Sequence, residues 1–421
     1  MGSVAIFCAY FVDGANKKLG DKIMKNICII TQCSLPVPTV KGGAVETLVE
    51  FILKQNEIKG KYNFTVISVA DDSAKKIATQ YKHADFVWIP LQNKTFNKGL
   101  MLCYRILKHL GVYIPFSLEF RQAIKTLKTI KEHDLYLYEA GPTTQLLALA
   151  KIVPKEKLLV HLHWDGMGNK RKDRCFSYLL PVSDYIGERW CLSSGCLKNK
   201  IMPLYNCTNI DLFQKKISDV EKHDLRKQFN IPEENKIVIF IGRIVEEKGI
   251  KELLKAFQLL EHENVTLLVI GSANFGAKTR TPYEVEVEKV IQQSNKSIVF
   301  TGFVHQTELY KYYNIADLAV MPSMFQDPAP LVCIEAQATG TPLIATDVGG
   351  IKEYADEKGV ILIKKDGNLI PNLAKAIDGI LDDPIKAAQM GRYCEEHAQQ
   401  FDVKKYYDNF SRIIDEILKS N

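Results

Sequence analysis

Two acids eight positions apart, Asp327 and Glu335, frame the run SMFQDPAPLVCIEA at residues 323–336. Pro328 and Pro330 forbid a helix at the start of this run, so Asp327 is expected in a loop. Glu335 falls in the first turns of the apolar helix expected next. A carboxylate carried inward on such a helix can accept hydroxyl groups, those of a ribose among them. Free amides at the helix start, near Leu331 and Val332, can hold phosphate or sugar oxygens. Gly340, Pro342 and the Gly349-Gly350 pair then shape a turn, a strand and a second loop. An isolated Asp/Glu pair is ordinarily surface charge, so its meaning depends on what converges with it.

A second run, GRIVEEKG at residues 242–249, follows a strand-like segment and precedes a helix-like one. Arg243 offers a fork of donors and Lys248 a point charge, both near a helix N-terminus. Such a pair can stabilise a diphosphate leaving group without a metal. The dinucleotide fingerprint G-x-G-x-x-G is absent, and so is the P-loop pattern. No D-x-D occurs; the nearest acidic pairs are Asp71-Asp72 and Asp382-Asp383. Diphosphate charge must then be met by protein groups, and neither a metal nor a cofactor is expected.

These runs need a scaffold, and the apolar pattern provides one. Strand-like segments at 26–31, 64–69, 86–89, 135–138, 158–162, 179–182 and 201–204 alternate with helix-length segments such as 44–55 and 143–152. Continuous apolar strands alternating with helices mean a parallel sheet covered on both faces. The rhythm breaks over the polar stretch 211–234, read as a linker with a short helix. A second series follows at 236–241, 265–270, 297–301, 318–321, 342–345 and 360–363, and a last helix at 403–418. The fold class is therefore α/β, with two doubly wound domains at 24–213 and 214–402. In open sheets of this kind ligands bind at the carboxyl ends of the strands, where both runs lie.

Length agrees with two domains: 421 residues, 46% hydrophobic and 25% charged. No window reaches the ~18–20 unbroken apolar residues of a membrane-spanning helix. The apolar segment 4–12 lacks a preceding basic residue and a following cleavage site, so residues 1–23 are read as an extension or leader rather than a secretory signal. Ten cysteines are scattered without a C-x-x-C pair, as expected of small buried side chains in a reducing cytosol. The net charge of +6 is uneven. Between Lys94 and Lys131 lie eight basic residues against one acid, Glu119, interleaved with apolar side chains. A basic amphipathic stretch suits an anionic membrane surface, whereas a plain helix pair with a solvated face is the bland alternative. No nucleic-acid-binding motif is present, so no such partner is expected.

The two chemical runs, GRIVEEKGI and DPAPLVCIEAQATGTPLIATDVGG, closely resemble the retaining glycosyltransferases of family 4, which have the GT-B fold. Other segments extend the resemblance over about residues 26 to 400. Gly302-Phe303-Val304 with Glu308, Leu309 and Tyr312 resembles the base-binding turn. Val182-Ser183-Asp184 resembles a conserved strand end, and NCTNIDLF at 206–213 resembles the crossover. Residues 36–46, with Gly42 and Gly43, resemble the N-terminal glycine loop. The resemblance implies two Rossmann-like domains facing a central cleft, with the last helix, 403–421, crossing back to the first. It implies that Arg243 and Lys248 bind the donor diphosphate, Glu335 the ribose, Asp327 the sugar-ring hydroxyls and the backbone at Val304 the base. Gly42 and Gly43 would approach the diphosphate. His161 or His163 would stand near the sugar, His163 favoured by its later place at the strand end; Asp165 is a further candidate.

Two departures stand out. The family usually has Glu where this chain has Asp327, which shortens the reach to the sugar. Lys41 precedes the glycine pair, either as an extra phosphate contact or as a solvated charge. The resemblance thus implies a retaining, metal-independent transfer of a hexose or N-acetylhexosamine from a nucleotide-sugar, a UDP-sugar by preference, to an acceptor hydroxyl. The basic stretch points to a lipid-linked saccharide acceptor in bacterial polysaccharide or glycolipid synthesis. The expected location is the cytoplasm, peripheral on the inner membrane face. The alternatives are a cytosolic transferase acting on a protein or small soluble acceptor, and an inactive nucleotide-sugar-binding partner subunit.

Overall fold

The computed structural model describes residues 24–91, 117–141, 145–166, 168–272 and 281–420. The extension at 1–23, and the basic stretch from Lys94 to residue 116, lie outside the described residues. The first sheet contains β1 (Lys25–Ile30), β2 (Tyr62–Val69), β3 (Ala84–Ile89), β4 (Leu135–Ala140), β5 (Leu158–Leu162) and β6 (Tyr178–Pro181). The second contains β7 (Lys236–Ile241), β8 (Val265–Ile270), β9 (Ser297–Gly302), β10 (Leu318–Met321), β11 (Leu343–Thr346) and β12 (Val360–Ile363). The strand orders are β3-β2-β1-β4-β5-β6 and β12-β11-β10-β7-β8-β9. Every pairing between these strands is parallel. Both orders are the doubly wound one, with the direction of winding reversing between β1 and β4 and between β7 and β10.

The strands form where they do because both sheet faces are covered. All six residues of β8 (VTLLVI) are buried, as are all five of β5 (LLVHL), which carries His161 inside the sheet. The expected strand at 201–204 does not form. Ile201 makes an isolated bridge to Leu179, and Met202 and Leu204 donate to the carbonyls of Leu179 and Pro181. Pro181 and Pro203 lack the N–H groups that would complete a ladder. The helix expected at 143–152 is assigned only over Leu146–Leu149. The polar stretch holds two helices, Ile210–Phe213 and Asp219–Gln228, the second closed by a Ser218/Glu221 capping box. Six of the eight described cysteines are buried as expected. Cys191 and Cys196 are partly exposed instead, with their sulfurs 2.7 Å apart.

The last helix, Val403–Ser420, lies on the first sheet's side of the molecule. Tyr406, Tyr407, Phe410, Ile413, Ile414 and Ile417 pack with Ile27, Ile29 and Leu53. Tyr62 Oη donates to Asp415 at 2.8 Å and Lys61 pairs with the same carboxylate. Other contacts join the two halves of the chain. Asn206 Nδ2 donates to the Ala329 carbonyl at 3.0 Å. Glu353 accepts from the amides of Asp184 and Tyr185, which open the Asp184–Ser194 helix.

Candidate functional site

The loops after β7 and β10 are packed against each other, and Gly249 makes this possible. Its φ is 71°, and a Cβ there would lie 1.8 Å from the Pro322 carbonyl oxygen. Met324 N donates to Glu247 O at 2.8 Å across the same contact. Lys248 is thereby delivered to the second loop, where its Nζ lies 2.6 Å from Asp327 Oδ2 and 4.7 Å from the Phe325 ring centre. The loop after β11 closes the cradle. Gly349 has φ 62°, a Cβ there would stand 2.3 Å from the Asp327 carbonyl oxygen, and Gly350 N donates to that oxygen.

Two connected cavities lie between the sheets. One, of about 490 Å³, is lined by His163, Arg243, Lys248, Asp327 and the start of the Leu331–Ala338 helix. The other, of about 390 Å³, is lined by Gly42, Gly43, Val304, Gln306 and Glu335. Ala44, Leu331 and Val332 border both. Two helix starts therefore face the same space, those of Ala44–Lys59 and Leu331–Ala338. Neither N-cap residue supplies a side-chain cap; at the Ala44–Lys59 helix the Glu46 carboxyl bonds to its own amide in the first turn, whereas the Leu331–Ala338 helix has no acid there and leaves its positive end open to an anion. Arg243 adds a half-exposed guanidinium, 3.7 Å from Glu247.

Glu335 is 2% exposed. Burial pushes its carboxyl up to about 7, and the hydrogen bond from Gln306 Nε2, at 2.7 Å, works in the opposite direction. Glu46, in the first turn after the glycine loop, is also pushed up to about 7. Burial is again the main cause, and the charge of Glu139 adds to it. Glu139, at the end of β4, is fully buried. Its Oε2 accepts from His161 Nδ1 at 2.9 Å and from His163 Nε2 at 2.6 Å. These two imidazoles, His161 first, hold its carboxyl below the usual range in spite of burial. His163 is pushed down to about 4, by burial and then by His161.

The structure brings the sequence-derived site residues, except His161 and Lys41, to the walls of these cavities. His161 lies inside the sheet with its side chain fully buried, and His163 is the histidine that faces the space. Lys41 is not free for phosphate; it pairs with Asp71 at 2.7 Å. Asp165 lines the first cavity but is bound to Arg189 Nε at 2.8 Å. Asp327 is 4% exposed and already engaged by Lys248. Sequence reasoning missed Gln306 and Glu139. The signal for Glu139 was a single carboxylate closing the apolar strand LYLYEA; parallel register then sets it beside His161. The ligand-type atoms of Glu139, His161 and His163 lie within 4.8 Å of one another, a spacing that could also hold a metal ion. Their 2.6 and 2.9 Å separations are those of hydrogen bonds.

Residues 221–397 match the family described as glycosyl transferases group 1. By this domain, the chain is a glycosyltransferase. Spore coat protein SA of Bacillus subtilis is 23% identical over 390 residues, 89% of this chain and 94% of that protein. The lipopolysaccharide 1,2-N-acetylglucosaminetransferase of Salmonella typhimurium is 29% identical over 204 residues, 48% of this chain and 51% of that one. The chain thus spans about half the length of this second relative. The solved structure of Anabaena HepE with UDP and glucose superposes with a TM-score of 0.70 at 20% identity, covering 93% of this transferase and 99% of that chain. That likeness establishes the GT-B architecture. No helix among the described residues is long and apolar enough to cross a membrane.

Proposed function

We propose that this transferase moves a hexose or N-acetylhexosamine from a UDP-sugar to a hydroxyl of a saccharide acceptor, with retention at the anomeric carbon and no bound metal. The observation that carries this is the convergence of Arg243, Lys248 and the uncapped start of the Leu331–Ala338 helix on one cavity, with Glu335 lining the cavity beside it. Arg243 and Lys248 meet the diphosphate charge as it develops on the leaving group. Glu335 takes the ribose hydroxyls and the backbone at Val304 meets the base. Asp327, braced by Lys248, meets the sugar ring. The names of the Salmonella relative and of the Anabaena complex support a saccharide acceptor and a UDP-sugar donor respectively.

Among the described residues that line the first cavity, none is a base free for the acceptor's proton. Asp327 and Asp165 are ion-paired, and His163 is held at about 4. The departing phosphate oxygen is then the proton's natural destination, which fits front-side transfer with retention. A thermal-shift screen of nucleotide-sugars, followed by transfer assays, tests the proposal. One donor should stabilise the protein selectively, and Arg243→Ala should lower turnover of it by about a hundredfold. Equal turnover by the variant would refute the diphosphate role.

The lipid-linked acceptor and a place at the cytoplasmic membrane face belong to the same proposal. Their support is the basic stretch, of which Lys125, Lys128 and Lys131 are described and exposed. Neutralising these three lysines should weaken sedimentation with anionic vesicles while donor hydrolysis persists. Unchanged sedimentation would remove the membrane from the proposal.

A further inference from the structure

We propose that Glu139 is a positioning residue that fixes the tautomer of His163, so that His163 presents a bare nitrogen to the cleft and reads a hydroxyl of the bound sugar or acceptor. It rests on the transferase function proposed above only for the identity of that hydroxyl.

The tautomer follows from the chemistry of one oxygen. An ionised carboxylate has no proton to give, so both imidazole nitrogens that touch Glu139 Oε2 must carry hydrogen. For His161 that nitrogen is Nδ1, and for His163 it is Nε2. One acid thus fixes hydrogen on Nδ1 of one ring and on Nε2 of another two residues along. Parallel register places Glu139 directly beside His161. His163, just past the end of β5, reaches the same oxygen from the strand end.

His161 is enclosed. Its Nε2 has no partner, and neither has the second oxygen of Glu139. His163 differs because it lines the cavity that holds Arg243, Lys248 and Asp327. With Nε2–H committed to Glu139, the nitrogen left to the cavity is Nδ1. In the neutral ring Nδ1 is a lone pair, an acceptor without a proton to give. The ring is held neutral in its buried setting. His163 therefore suits a hydroxyl, which donates, and is unsuited to a phosphate oxygen, which only accepts. A flipped tautomer would present N–H instead and exchange this preference for the opposite one.

The test reads the ring directly. Nitrogen NMR of protein labelled at its nine histidines distinguishes the two tautomers, with His163→Ala and His161→Ala assigning the signals. The wild type should show His163 as the Nε2–H form at neutral pH, with hydrogen on Nδ1 of His161. Glu139→Ala should convert His163 to a tautomer mixture, whereas Glu139→Gln, whose carbonyl can replace the accepting oxygen, should keep the wild-type form. In transfer assays Glu139→Ala should lose roughly ten- to a hundredfold in kcat/KM, with Glu139→Gln restoring much of it. A cooperative thermal transition in the variants separates this loss from misfolding. An unchanged His163 tautomer in Glu139→Ala overturns the proposal, as does stoichiometric divalent metal that purifies with the wild type and is lost with Glu139. Because the spectrum needs no substrate, it decides the tautomer even if the donor proves not to be a UDP-sugar.

Discussion

Glu335 is the residue where site and stability pull against each other. Its carboxyl sits at about 7 in the folded chain against an ordinary value of 4.5. The folded state therefore binds this proton more tightly than the unfolded chain does. Stability from this group is complete below about pH 4.5 and is lost as the pH rises through 7. Glu46 acts in the same direction. The ligand-free protein should therefore melt at a lower temperature at pH 8.5 than at pH 6, as far as these two acids govern it. Glu335→Gln should flatten that decline and gain up to about 3 kcal/mol at the alkaline end. A decline of undiminished slope in the variant would show that Glu335 is not its source. Donor hydroxyls that hydrogen-bond to the ionised form should in turn expel its proton. Calorimetry near pH 7 in buffers of different ionisation enthalpy should then report proton release on donor binding, absent in Glu335→Gln.

At the scale of elements, the site depends on loops approaching more closely than a side chain would allow. The turn after β7 touches the Pro322 carbonyl through Gly249, and it is this contact that sets Lys248 on Asp327. In Gly249→Ala the new Cβ meets a backbone oxygen at 1.8 Å with φ at 71°. Neither can be relieved by a rotamer change, so a loss above about 2 kcal/mol is expected. Donor-induced stabilisation should vanish with it, since Arg243 and Lys248 share the displaced turn. A melting temperature within ~1 °C of the wild type would show that the loops can separate cheaply.

For the whole molecule, the final helix is a structural part of the first domain although the second lies between them in sequence. Six of its side chains are buried beside β1 and the Ala44–Lys59 helix. At roughly 1.5–3 kcal/mol for each, their burial amounts to the order of 10 kcal/mol, comparable with the stability of a whole domain. A chain stopped after Asp402 should therefore fail to give a folded first domain, seen as insolubility or loss of a cooperative transition. A soluble truncated chain with the full melting temperature would contradict this.

The sequence by itself determined the doubly wound pattern, because strands covered on both faces must be continuously apolar and so announce themselves. Strands β5, β7, β8 and β10 were legible to the residue for this reason, and β12, a partly exposed edge strand, by its apolar run alone. Residues 201–204 misled because their apolar pattern is that of a strand while the missing N–H groups of Pro181 and Pro203 are felt only in pairing. The places of Arg243, Lys248, Asp327 and Glu335 on the cavity walls were legible because the first three lie in loops after strands and the last on the helix that follows, where such sheets bind ligands. The sequence favoured His163 over His161 by its place at the strand end without excluding either, and the tertiary structure decided it, since alternation along a strand gives no answer past its last residue. The tertiary structure also decided that Lys248 braces Asp327 and that Glu139 commands two rings. These are contacts across 79, 22 and 24 positions of chain, and sequence spacing does not encode the sheet register and loop approach that create them.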